Sequence, residues 1–114
     1  MAESKLRELA VQFAVDAVKY CETIKGHYSI VNPLERSATS IGANIHEAKY
    51  AHGTADFVSK LQIALKEANE TGYWLELLYK TNYISGEQYK SLESKCKSLR
   101  AMLVSSLNTA KTNL

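Results

Sequence analysis

Proline and glycine are scarce, with one Pro and five Gly in 114 residues. That scarcity argues against a turn-rich β fold and for long helices. Cysteine is scarce too: Cys21 and Cys96 are the only two, and they form no C-x-x-C pair. They supply neither a disulfide framework nor the usual zinc spacing. The amphipathic N-terminus, MAESKLRELAVQFAVDAV, carries acidic residues and does not read as a secretory signal. Reduced thiols and a cytoplasmic location are therefore expected. No uncharged run approaches the ~18 residues of a membrane span, so no membrane partner is expected. A strong excess of either charge is also missing. The net charge of +2 neither demands nor excludes nucleic acid.

What the chain does have is an apolar fraction of 46%, enough for a real core, and the length of one domain over residues 1–114. The stretch LERSATSIGANIHEAK, residues 34–49, organises the reading. Leu34, Ala38, Ile41, Ile45 and Ala48 are spaced 4-3-4-3, which puts them on one helix face. Ser37, Ser40, Asn44 and Glu47 run beside them, about 80° around the helix. Ser, Gly and Asn are poor helix formers, so this helix needs close packing and hydrogen-bond partners.

Three further helices are expected. The first runs from about Ser4 to Lys25, with Leu6, Ala10, Phe13, Ala17, Tyr20 and Ile24 as a heptad seam and Gly26 ending it. Asn32-Pro33-Leu34-Glu35 predicts the second helix start, with Asn as N-cap and Pro at the first helical position; this helix runs to about Tyr50. Thr54 is the next predicted N-cap. The third helix spans about Ala55 to Thr81, with Phe57, Leu61, Ala64, Leu65, Ala68, Gly72, Leu75 and Tyr79 inward. Its Ala64, Ala68 and Gly72 form a smooth track where another backbone can approach. Ser85 and Gln88 read as a capping box for a fourth helix to about Asn108, with Tyr89, Leu92, Cys96, Leu99 and Leu103 inward. The last six residues are expected to fray. Four amphipathic helices with short connections predict an all-α, antiparallel up-down-up-down four-helix bundle.

Chemistry-bearing patterns are few. His27, His46, His52, Cys21 and Cys96 show no metal-ligand spacing, and the two cysteines read as small buried hydrophobes. Ser40 lies within a turn of Asn44, but no His or Asp stands in phase to activate it. No catalytic residue, metal or cofactor is expected.

Charge is divided unevenly. Residues 1–79 carry eight Lys/Arg against ten Asp/Glu, and residues 80–114 carry six against two. On the fourth helix Lys90, Lys97, Arg100 and Lys111 fall within about 80° of one another. This is either a phosphate-backbone footprint or a solvated face with Glu93–Lys97 as an ordinary i, i+4 pair. The stripe of Arg36, Ser40, Asn44 and Glu47 predicts a polar network. Equal rise along a helix 2–helix 3 hairpin adds Glu70, or Glu67 one turn away, as the partner of Arg36. Val11, Val15 and Val18 form a second apolar stripe on helix 1, and Ile63, Trp74 and Leu77 lie off the core face of helix 3. At least one of these surfaces is expected to be a seam between subunits.

Leu34-x-Arg36-x-Ala38-x-Ser40-Ile41-x-x-Asn44-Ile45-x-Glu47 resembles the signature of the small four-helix-bundle proteins encoded in intervening sequences of bacterial 23S rRNA genes. Phe57, Leu61, the run Ala64-Leu65-Lys66-Glu67-Ala68, Glu70 and the run from Tyr73 to Leu78 look like that family's third helix. The resemblance covers about Leu6 to Leu107. One departure is Ala48, where family members often carry Gly after the Glu. The family is similar to the accessory protein of diversity-generating retroelements, a ring of five bundles that works with a reverse transcriptase and nucleic acid. The resemblance thus implies a homo-oligomer, a pentamer, that associates with RNA or DNA and has no catalytic residues to carry over. The alternative is an oligomeric scaffold that recruits a protein partner without binding nucleic acid.

Overall fold

The computed structural model describes residues 2–112. It contains four α-helices: α1 (Ala2–Thr23), α2 (Tyr28–Ala48), α3 (Thr54–Lys80) and α4 (Gly86–Lys111). Among the described residues there is no strand. The helix-forming pattern identified in the sequence is therefore realised, and each helix packs against two others. α1 lies against α2 and α4, and α3 against α2 and α4, with no diagonal pairing among the described residues. The molecule measures 45 × 21 × 19 Å. The 27 residues of α3 span about 40 Å at ~1.5 Å per residue, so the helices lie along the long axis.

One apolar core runs through the bundle. Phe13, Leu34, Ile41, Leu61, Leu75, Leu99 and Leu103 are all essentially inaccessible. The α2 face reads as expected: Leu34, Ala38, Ile41, Ile45 and Ala48 are buried. Cys21 and Cys96 are buried free thiols. Burial pushes both thiols up to about 11, because a thiolate would be poorly solvated there.

The helix ends depart from the sequence reading in two places. α2 begins at Tyr28 and contains Pro33. Asn32 is therefore an interior residue and not a cap. His27 holds the N-cap position in the left-handed region (φ 47), directly after Gly26 (φ 87), and its carbonyl accepts from Ile30 and Val31. Pro33 has no N–H to offer the Ser29 carbonyl, but Ser29 is exposed and water can serve it. The N-cap of α3 is Gly53 (φ 91) and not Thr54. Here Asp56 reaches back, its Oδ2 accepting the His52 N–H at 3.0 Å. The Ser85–Gln88 capping box of α4 is present in full. Two further differences concern extent. α4 continues to Lys111, three residues past the expected Asn108, and of the six residues expected to fray, 113 and 114 lie outside the described residues.

The inward stripe of α3 differs from the expected one near both ends, one residue later at the start and one residue earlier towards the end, and Leu65 is only half-buried. Val58, Thr71 and Leu78 are buried in place of Phe57, Gly72 and Tyr79. Thr71 can enter the core because its hydroxyl lies 2.8 Å from the Glu67 carbonyl and 2.9 Å from Ser37 Oγ. Tyr79 instead stacks on Tyr89 at 4.7 Å between ring centroids. The same stacking accounts for Tyr89, expected inward, being only half-buried.

Candidate nucleic-acid interface

α4 presents three exposed lysines, Lys90, Lys97 and Lys111. At ~100° per residue they lie within about 60° of one another, and at ~1.5 Å per residue they span about 32 Å. Among the described residues none meets a carboxylate within 4.0 Å. The Glu93–Lys97 pair of the solvated-face alternative is absent because Glu93 turns to another cation.

That cation is Arg100, which must be removed from the footprint. It is half-buried against α3, where its Nη2 donates to Glu93 Oε1 and its Nη1 donates to Cys96 Sγ at 3.2 Å. Cys96 in turn donates to the Ala68 carbonyl at 3.3 Å. The guanidinium lies over Gly72, and a Cβ built there would stand 3.0 Å from Nη1. The small-residue track on α3 thus admits a guanidinium at this position. The sequence signal was present in Gly72, a glycine inside a helix facing a long cation, but it read as room for a backbone. Glu93 Oε2 is buried without a hydrogen-bond partner. Lys95, a fourth α4 cation, is also used within the fold. It binds Asp16 Oδ2 of α1 at 2.6 Å and holds that carboxyl below the usual carboxylate range.

The polar stripe of α2 is satisfied mostly inside its own helix. Ser40 Oγ donates to the Arg36 carbonyl at 2.7 Å, and Asn44 Nδ2 donates to the Ser40 carbonyl at 2.8 Å. Arg36 itself is exposed and makes no ion pair with Glu67 or Glu70, contrary to expectation. Short hydroxyls find the adjacent turn's carbonyls before they can reach across, and a long exposed arginine is better solvated than paired. Burial raises the Glu67 carboxyl, with repulsion from Glu70 adding to it and the positive field of Lys66 and Arg36 partly opposing it. Glu47 does reach α3, with Lys60 Nζ 3.6 Å away. The buried cross-helix contact is one the stripe pointed to only at its edge, Ser37 with Thr71. Two hydroxyl protons there serve three contacts: Thr71 to Ser37, Ser37 to the Leu34 carbonyl, and Thr71 to the Glu67 carbonyl.

The second apolar surfaces are only partly open. Val11 is 47% exposed, Val15 40% and Ile63 39%. Val18, Trp74 and Leu77 are half-buried, and Trp74 packs against the core. No helix is long and apolar enough among the described residues to cross a membrane. No group of three or more His, Cys, Asp or Glu is placed among them to hold a metal ion.

A family model described as 23S rRNA-intervening sequence protein matches residues 2–105. A crystal structure from Bacteroides thetaiotaomicron, a protein of unknown function from the S23 ribosomal protein family, is similar at 41% identity and a TM-score of 0.90. The match covers 95% of this chain and 99% of that one. No curated protein matches the chain. The matched region takes in α1, α2, α3 and most of α4, with the motif residues Arg36, Ser40, Asn44 and Glu47 inside it, and on this basis the chain belongs to the 23S rRNA-intervening sequence protein family.

Proposed function

We propose that this chain is a non-enzymatic bundle protein that assembles into a homo-oligomeric ring, a pentamer, and holds RNA or DNA by its phosphates. The observation that carries the reading is the row of exposed, unpaired Lys90, Lys97 and Lys111 along about 32 Å of α4. Three cations are a weak site alone. A ring with cyclic symmetry repeats them, and several subunits engaging one strand act through effective concentration to raise avidity by ~10²-fold or more. The exposed Val11, Val15 and Ile63 favour subunit contact, since aligned apolar residues on a small bundle are a solubility liability in a monomer. Short connections and neighbour-only packing support an antiparallel, up-down-up-down order within each subunit. The family name supports a link to ribosomal RNA, and the reading places the protein in the cytoplasm and gives it no cofactor.

Light scattering and fluorescence anisotropy with labelled RNA at ~50 mM salt test this, the regime where charges are least screened. The expected result is an oligomer that binds RNA. Joint replacement of Lys90, Lys97 and Lys111 by Glu should abolish binding while helical content and oligomer mass stay unchanged. A flat titration with an intact oligomer leaves the scaffold reading, a ring that recruits a protein partner.

A further inference from the structure

We infer that the end of the bundle where α2 turns into α3 is a binding site for a single-chain amphiphile with an anionic head. The start of α1, the end of α2, the start of α3 and the end of α4 surround a half-open cleft of about 740 Å³ there. That volume falls within the ~300–1,000 Å³ of ordinary small-molecule sites. The cause is local: Ala48, Ala51, Gly53, Ser105 and Ala110 line the cleft and are too small to fill it. Half-buried Phe57 and the outer edges of the core residues Leu6, Ile45 and Leu61 form an apolar floor. A flexible acyl chain fits such a floor, because each buried methylene is removed from water without needing a polar partner.

The charge of the lining selects the head group. Arg7 and Lys49 both line the cleft and both are exposed, while no carboxylate belongs to the lining among the described residues. Two cations beside an apolar floor complement a carboxylate, sulfate or phosphate at the end of the chain. The inference goes beyond phosphate-backbone binding, since none of Lys90, Lys97 and Lys111 lines the cleft.

Calorimetric titration of the full chain with dodecanoate, below its micelle concentration, tests the site. One ligand should bind per subunit, with affinity falling about fourfold per methylene removed towards octanoate. Dodecyltrimethylammonium should bind at least about tenfold more weakly, and Lys49→Glu should weaken dodecanoate by a similar factor. Ser105→Trp, on the exposed rim, should block the cleft. Methyl NMR of the unaltered chain reads the same site without any variant: Leu6, Ile45 and Leu61 shift, and Leu78 and Leu92 do not. The inference is overturned by an absence of dodecanoate binding, by equal affinity for the cationic amphiphile, or by shifts confined to Leu78 and Leu92. Binding left intact by both variants also overturns it.

Discussion

Arg100 shows how far a single position can differ from what its helical phase suggests. It lies within about 60° of Lys97 around α4, yet it is bound to Glu93 and Cys96 over Gly72. Removing it leaves the Glu93 carboxylate half-buried and unpaired, and Arg100→Ala should cost roughly 1–3 kcal/mol in urea unfolding. Gly72→Ala should forfeit the ~1 kcal/mol that alanine ordinarily adds to a helix, because the new Cβ stands 3.0 Å from Nη1. Gly42→Ala is the contrast: its Cβ would meet Ala10 at an ordinary 3.7 Å, so it should gain up to ~1 kcal/mol. Two carboxylates give opposite pH signatures. Asp16 is lowered in the fold, chiefly by its hydrogen bond to Lys95. Its contribution is full above the unfolded value of about 3.9 and is lost as pH falls through the lower folded value. Asp16→Asn should therefore lower stability at pH 7 and leave less to lose on acidification. Glu67 is raised by burial, so it costs stability once pH rises through the unfolded value of about 4.3 and into its higher folded one. Glu67→Gln should stabilise at pH 7 and have little effect at pH 3, as read by urea midpoints at the two pH values.

At the scale of elements, what could be read depended on whether local chemistry had one solution or two. The α4 start was legible because Ser85 and Gln88 satisfy each other's orphan groups. The α2 start was not, because Asn32-Pro33 is an equally good local start that tertiary packing overrides: Val31 is buried, which draws the preceding turn into the helix. Replacing Ser85 by Ala should cost about 1 kcal/mol, whereas Asn32→Ala, at an interior exposed position, should be near neutral. Urea midpoints of the two variants would distinguish the starts. The α2 core face was legible from its 4-3-4-3 spacing alone. The α3 face was misjudged over its second half because Thr71 is polar and Tyr79 is large and aromatic. Only the structure shows that the Thr71 hydroxyl has partners and that the Tyr79 ring has Tyr89. The candidate interface followed the same rule. Helical phase alone placed Lys90, Lys97 and Lys111 together, but it could not tell a cation that faces water from one bound to a carboxylate two turns back on the same helix.

At the scale of the whole molecule, a mildly charged bundle with three free lysines on one helix is a poor ligand for nucleic acid unless it repeats. Assembly and binding are therefore one claim, and the salt dependence of affinity separates them from chance electrostatics. Each phosphate contact adds about 0.7–0.9 to the slope of log affinity against log salt, so the three lysines of one subunit supply at most about 2.7. The decisive measurement is that slope for the assembled protein on a single RNA long enough to touch neighbouring subunits. The expected slope is clearly steeper than about 3, collapsing when Lys90, Lys97 and Lys111 are replaced. A slope of about 2.7 or less, or a steep slope that survives those replacements, would contradict it.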